Sequence, residues 1–321
     1  MLNGTITKFC AFVILIVFVC TASWACKYAS SNDRGAPAFD QSKSPYEAPK
    51  IVGKIESVEI DESSGLAASK CQQDVFWTHN DSGDGAYIFA LNSKGGHLGT
   101  WKVQNAENFD WEDLAAFKDS SGTCFLYIGE IGNTNKLART EHKIYRVKEP
   151  AVSSDNKNST RKNPLLTDPA ENMRFRYSDT PHDSETLMVN PMSGDIYVLT
   201  KGSREPSAVY KLKPVFDAET ALNADKISDL MLPAVPSGLL TGGSISPDGR
   251  RVILCDYSAG YEFTLPEGAG SFDDIWKQKP AIVDIGDRKQ GEAISYSSDG
   301  NSVFATSEKK NAPIIEIRRK N

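Results

Sequence analysis

Residues 290–317 read QGEAISYSSDGNSVFATSEKKNAPIIEI. Gln290-Gly-Glu-Ala-Ile294 places an acidic residue two positions before an apolar one. Ser297-Ser-Asp-Gly300 is a turn, and Val303-Phe-Ala305 and Ile314-Ile-Glu-Ile317 are apolar runs. An Asp-Gly turn between β-rich runs is a hairpin signal, so the stretch predicts three antiparallel strands. Only Arg318-Arg-Lys-Asn321 follow, too few for a fourth.

The same plan recurs upstream, which decides the fold. Glu62-Ser-Ser-Gly-Leu66, Asp110-Trp-Glu-Asp-Leu114, Asp183-Ser-Glu-Thr-Leu187 and Thr241-Gly-Gly-Ser-Ile245 each put a small or acidic residue two places before a Leu or Ile. A turn and an apolar run follow each one: Val75-Phe-Trp-Thr78, Phe125-Leu-Tyr-Ile128, Ile196-Tyr-Val-Leu199 and Val252-Ile-Leu254. Third strands fall at Tyr87-Ile-Phe-Ala-Leu91, Lys143-Ile-Tyr-Arg-Val147, Val209-Tyr-Lys-Leu212 and Tyr261-Glu-Phe-Thr-Leu265. Fourth strands alternate apolar with polar, as in Trp101-Lys-Val-Gln104 and Met173-Arg-Phe-Arg-Tyr177. Four antiparallel strands per repeat make a propeller blade.

The expectation is therefore an all-β chain, a five-bladed β-propeller. Six blades is the alternative if residues 151–170, rich in Ser, Asn, Lys and Pro, hide a degenerate unit. Ile51-Val-Gly-Lys-Ile-Glu-Ser-Val58 is the candidate for the missing strand, so that the N-terminal strand completes the C-terminal blade and closes the ring.

The remaining sequence narrows the function classes. The 321 residues are 40% hydrophobic and carry 36 Lys and Arg against 42 Asp and Glu, a net charge of -6. This lacks the basic surplus that nucleic acid binding needs. No Walker A, Gly-x-Gly-x-x-Gly or Gly-x-Ser-x-Gly pattern occurs, which removes phosphate loops and the α/β-hydrolase elbow. No Cys-x-x-Cys and no His spacing supports zinc.

Residues 1–25 read as a signal peptide: Lys8 precedes the apolar run Phe9 to Cys20, and Ser23-Trp24-Ala25 offers small residues at -3 and -1. The run is too short to span a bilayer. Cys26 then becomes the first mature residue, which resembles a bacterial lipoprotein start. Ser23 stands where that pattern carries Leu, so simple secretion is the first reading and a lipid anchor on Cys26 the second. Residues 26–49 read as a polar tether and 50–319 as a single domain, expected to be a monomer. Among the cysteines that remain, Cys71 and Cys124 each lie just before a second strand in neighbouring repeats and are expected to form a disulfide. Cys255 reads as a core residue.

Glu62-Ser-Ser-Gly-Leu66, Asn80-Asp-Ser-Gly-Asp84, Asp110-Trp-Glu-Asp113, Tyr127-Ile-Gly-Glu-Ile-Gly-Asn133, Asp183-Ser-Glu185 and Gln290-Gly-Glu-Ala293 together resemble a group of exported bacterial β-propeller proteins. That group is distantly similar to phytase-like esterase and regucalcin/gluconolactonase propellers. The resemblance spans residues 51–318. Glu130, followed by Asn133-Thr-Asn135, departs from the group's Asp and later Asp-Asn, which speaks against an inherited metal site at that loop.

Propeller geometry gathers the motifs at one place, because first strands start where second strands end. That mouth is expected to hold Glu62, Asp110, Glu112, Asp183, Glu185 and Glu292 from first strands. His79, Asn80, Asp81, Asp84, Glu130, Lys201, Asp256 and Glu308 come from second strands. Any one of these reads as a turn cap, and Trp77, Trp101 and Trp111 read as core. Glu112, Glu185 and Glu292, however, share one register in three repeats, and carboxylates crowded near one axis repel unless a cation or proton relieves them. These three with Lys201 are the candidate catalytic residues, and the three with Asp81, Asp110 and Asp183 the candidate metal ligands. Hard oxygen donors point to calcium before zinc. Three functions follow: a calcium-dependent hydrolase of phosphate or carboxylic esters, a glycoside-active enzyme using a carboxylate pair, or a non-catalytic surface propeller. The ligand at the mouth would be a small molecule or glycan, or in the last case a glycan, peptide or ion.

Overall fold

The computed structural model describes residues 44–133, 139–202, 206–217, 219–230, 232 and 239–320. The expected signal peptide, Cys26 and the tether up to residue 43 lie outside the described residues.

Strand β1 (Lys50–Lys54) is followed by β2 (Ser63–Ala68), β3 (Phe76–Asn80), β4 (Tyr87–Leu91) and β5 (His97–Gln104), the first antiparallel meander. β6 (Trp111–Lys118), β7 (Cys124–Glu130), β8 (His142–Lys148), β9 (Leu165–Pro169) and β10 (Glu171–Tyr177) come next. The third repeat supplies β11 (Ser184–Val189), β12 (Ile196–Thr200), β13 (Ser207–Leu212) and β14 (Leu222–Leu230). The fourth supplies β15 (Gly242–Ile245), β16 (Arg251–Cys255), β17 (Gly260–Thr264) and β18 (Ala281–Val283). The last supplies β19 (Ile294–Tyr296), β20 (Ser302–Ala305) and β21 (Pro313–Arg318).

Sheet order follows the repeats: β2-β3-β4-β5-β9, β6-β7-β8-β10, β11-β12-β13-β14, β15-β16-β17-β18 and β19-β20-β21-β1. A parallel pairing of β10 with β14 joins two of these into one eight-stranded sheet. The chain is all-β and propeller-like. Residues 151–170 contain no further meander. They form a 3-10 turn at Ser154–Asn158 and β9, which adds parallel to the outer edge of β5.

Burial explains why the units form a ring. Successive strand residues face opposite sides of a sheet, and here each side meets a different neighbour. Trp77 packs on the second unit and Phe76 on the fifth. Ile128 and Tyr127, Val198 and Leu199, Leu254 and Ile253, and Val303 and Phe304 divide in the same way. Strands buried on both faces read as continuous apolar runs rather than alternating ones. The first strands touch in sequence, β2 with β6, β6 with β11, β11 with β15, β15 with β19, and β19 with β2. Close approach there demands small residues: a Cβ on Gly65 would meet the Leu114 backbone nitrogen at 2.7 Å.

The N-terminal strand supplies the missing position, with β1 pairing antiparallel to β21. It is shorter than the expected 51–58, because Ile55 leaves the sheet and is buried between the fifth and first units. The packed body also begins before residue 50. Tyr46 is 1% exposed, its hydroxyl donates to Glu262, and Pro45 O accepts from the Lys320 backbone N–H at 2.8 Å. The Cys71–Cys124 disulfide is present and links the first two units, and Cys255 is a buried free thiol.

Candidate functional site

Two of the key acidic side chains are placed by a backbone device. The β2/β3, β6/β7 and β11/β12 pairings shift register between Ser63 and Gly65, Trp111 and Asp113, and Ser184 and Thr186. A β-bulge leaves one residue unpaired and re-aims its side chain. The bulged residues are Ser64, Glu112 and Glu185, all at the repeat position two before the Leu. Ser64 Oγ donates to the Glu112 carbonyl at 2.6 Å and ties the first bulge to the second. In the fourth unit Gly243 is regularly paired, and in the fifth Glu292 precedes β19.

The bulges bring five carboxylates together in two groups. Oxygens of Asp81, Asp110 and Glu112 lie within 4.8 Å of one another, as do those of Glu112, Asp183 and Glu185. Glu112 belongs to both. Asp110, Glu112 and Glu185 are buried. The Glu112 carboxylate meets no hydrogen-bond donor among the described residues. Asp183 accepts from the Asn133 backbone N–H at 2.7 Å, and Lys201 Nζ lies 2.6 Å from Glu185 Oε1. The loop over the cluster carries Gly132, where a Cβ would overlap Glu112 Oε1 and Asp110.

Burial raises these acids, and their neighbours reinforce it. Burial first, then the charges of Glu185, Asp81 and Asp110, hold Glu112 well above the ordinary carboxylate range. Burial pushes Asp81 up to about 6, against the Ser82 N–H. It also raises Asp183, against the Asn133 N–H and Lys201. Glu185 is pushed up to about 7 by burial, with Lys201 pulling the other way. Glu292 is pushed up to about 9 by burial and then by Glu308.

Glu292 belongs to neither close group, although Glu185 and Asp81 act on it through space. The centre of the cluster is therefore Glu112 rather than a symmetrical Glu112, Glu185 and Glu292 ring. Several other mouth residues are structural. Asn80 Oδ1 accepts from the Asp61 and Glu62 N–H groups and Asp84 pairs with Arg161. Glu130 pairs with Arg139 at 2.5 Å and Asp256 caps its own turn through Ser258 and Ala259. Glu62 is exposed and Glu308 pairs with Lys309 at 3.5 Å. His79 is buried and pushed down to about 4, so it is neutral. Trp77, Trp101 and Trp111 are core.

Three features escaped the sequence reading. Asp113, beside Glu112 and just as buried, accepts the Leu114 and Leu187 backbone N–H groups at 2.8 and 3.0 Å and pins adjacent units together. Tyr257 stands beside Lys201, its phenol raised to about 12 by burial. A cleft of about 260 Å³, lined by Thr180, His182, Thr200 and Lys226, reaches the cluster through Asp183 and Lys201. The Asp-Trp-Glu-Asp motif contained Asp113, but which of its acids faces the mouth depends on the bulge.

The donor set fits a hard cation. All the candidate ligand atoms are oxygens, and those of each group, within 4.8 Å of one another, are close enough to share one calcium at about 2.3–2.6 Å. The bare Cα of Gly132 keeps that space open.

No protein-family model matches the chain, and no curated protein matches it in sequence. Solved structures match in outline. The PQQ-bound aldose sugar dehydrogenase of Streptomyces coelicolor is 10% identical over 84% of this chain and 98% of its own, with a TM-score of 0.47. A gluconolactonase of Xanthomonas campestris is 9% identical over 85% and 95%, with a TM-score of 0.43. The apo soluble aldose sugar dehydrogenase of Escherichia coli is 9% identical over 85% and 99%, with a TM-score of 0.42. The likeness is a distant one to propeller proteins and carries nothing about substrate or chemistry. Among the described residues no helix is long and apolar enough to cross a membrane.

Proposed function

We propose that this chain is an exported five-bladed propeller hydrolase of phosphate or carboxylic esters that binds a divalent cation, calcium first, at its mouth. One observation carries the reading: two carboxylate groups share Glu112, which is buried and has no donor among the described residues. A buried ionised carboxylate is costly without a counter-charge. Asp81, Asp110, Glu112, Asp183 and Glu185 would hold the ion. When bound, it would supply Lewis acidity toward the ester oxygen.

The chain's own residues do the rest. Lys201, whose ammonium donates to Glu185, also lines the cleft and would be the cation that meets the anionic group of a substrate. The cleft binds the substrate against the cluster. Glu292, held above the ordinary carboxylate range by burial and then by Glu308, would be the proton donor to a leaving oxygen. Phe109, 55% exposed next to Asp110, favours a second reading, a glycan whose sugar face rests on the ring.

Hydrolysis of aryl phosphates and aryl acetates in calcium and in chelator tests this. Chelator is expected to abolish turnover and calcium to restore it, and Glu112→Gln to lower it by about 100-fold or more. Turnover indifferent to chelator would sink the hydrolase reading. Metal-independent cleavage of aryl glycosides would establish the second.

A further inference from the structure

Glu112 and Glu185 are presented to the mouth by bulges, and Glu292 is not. The β19/β20 pairing runs in regular register from Ile294↔Ala305 to Tyr296↔Val303, so a different device must hold the loop that precedes β19. That loop is pinned from two units. From the fourth, Thr241 Oγ1 donates to the Gly291 carbonyl and Cys255 Sγ to the Glu292 carbonyl, each at 3.1 Å. From the fifth, the Glu308 and Thr306 backbone N–H groups donate to the Gln290 and Ala293 carbonyls at 3.1 and 3.0 Å.

Between these anchors sits Arg288, 6% exposed. Its guanidinium donates through Nη1 to the Thr306 carbonyl at 3.0 Å and through Nη2 to the Asp256 carbonyl at 3.1 Å, the residues that follow β20 and β16. Gly291 packs against the same group: a Cβ there would stand 2.5 Å from Arg288 Cζ. No carboxylate lies within 4 Å of the guanidinium among the described residues. A buried charge without a counter-charge is costly, so what the guanidinium offers here is shape, a planar fork that spans two carbonyls in a fixed geometry.

We propose that Arg288 is the positioning residue for Glu292: its fork does in the fifth unit what the bulges do in the second and third, fixing Gly291 and with it the Glu292 side chain at the mouth. This rests on the role of proton donor given to Glu292 above and adds the residue that makes the role possible.

Arg288→Met removes the fork. Amide exchange on the full chain is expected to show the Thr306 and Glu308 N–H groups exchanging about tenfold faster or more, with Leu114 and Leu187 unchanged. Turnover is compared on two esters of one acid, with phenol and with 4-nitrophenol as leaving group. A misplaced proton donor costs about 100-fold in kcat where the more basic phenol leaves, and little where 4-nitrophenol leaves without help. Glu292→Gln is expected to show the same pattern, and the double variant no further loss. A residue that only joins two units would depress both esters alike. Unchanged exchange in a folded Arg288→Met, or equal losses on the two esters, overturns the proposal. No turnover by wild type overturns the hydrolase reading instead, and amide exchange alone then decides whether Arg288 holds the loop. Should a thermal melt show Arg288→Met unfolded, Arg288→Lys, which keeps the charge but loses the fork, replaces it with the same expectations.

Discussion

Glu262 and Glu112 are both buried glutamates at places where blades meet, yet they live in opposite surroundings. Glu262 sits at the seam where the chain closes on itself. It accepts hydrogen bonds from Tyr46, from Tyr296 at 2.7 Å and from Arg319 at 2.9 Å, and is 3% exposed. Glu112, equally buried at the mouth, has no donor among the described residues and carboxylates for neighbours. A paired and hydrogen-bonded buried charge organises its surroundings, whereas one without partners costs stability until something arrives. The seam commits its carboxylate to folding, whereas Glu112 at the mouth has no such donors among the described residues.

Breaking the seam should have the largest effect. Lys54, Glu56 and Ile55 bond to Lys94, Gly95 and Ala312, and Glu47 bonds to Arg318, so residues 44–58 stitch the first and last units. A chain beginning at Ser44 is expected to fold, while one beginning at Glu59 exposes β21 as a bare edge and is expected to aggregate or remain unfolded. A soluble, monomeric product of the longer deletion, with a cooperative melt, would remove the closure argument. Next in size, Glu262→Ala leaves Arg319 facing Tyr46 and Tyr296 without its anion, an expected loss of about 3–5 kcal/mol by chemical denaturation. A loss below 1 kcal/mol, the scale of an exposed pair, would place the seam's strength elsewhere.

At the mouth the expected sign reverses. Calcium at a hundred times its dissociation constant should stabilise the protein by about 2.7 kcal/mol if it binds the native state alone. Glu112→Gln should remove that gain, and because it relieves a buried carboxyl that has acidic neighbours and no donor among the described residues, it should also raise the melting point in chelator. Glu267→Gln, on an exposed turn, should do neither. Equal calcium responses in all three proteins would show that the cluster is not the binding site.

The seam and the mouth were legible in the sequence to different depths. The repeats, the missing fourth strand and its N-terminal replacement could be read because apolar runs and turns carry strand period and order. Tyr46 could not, since a lone tyrosine in a Pro- and Ser-rich stretch has no periodicity to mark it as core. Strand polarity points Asp81, Asp110 and Asp183 to the mouth beside Glu112 and Glu185, and the oxygens of these five form the two close groups. Glu292 was grouped with Glu112 and Glu185 on register alone. The bulges at Glu112 and Glu185 have no counterpart in a pairing at Glu292, and a bulge is a backbone event that side-chain pattern does not encode. Asp113 illustrates the same limit, because one extra residue decides which acid faces the axis.

The remaining expected effect is a pH dependence, and it separates Glu292 from the two close carboxylate groups. Its carboxyl is raised from 4.5 to about 9, so between those values the native state keeps a proton that the unfolded chain gives up. Stability then falls as pH rises: the contribution is complete below about 4.5 and is lost through about 9. Glu185 and Asp81 act in the same direction over lower windows, ending at about 7 and about 6. In chelator the melting point should therefore decline from pH 5 to pH 9. Glu292→Gln should flatten the upper part of that decline, between about 7 and 9. Calcium should act oppositely, stabilising more at higher pH, because its ligands must shed protons to bind. Since Glu292 lies in neither close group, Glu292→Gln should leave the calcium stoichiometry unchanged. Melting scans at five pH values, with and without calcium, give both slopes. A melting point in chelator that does not fall between pH 5 and 9 would mean that the mouth acids are solvated and ionised throughout, and the contrast with Glu262 would be lost.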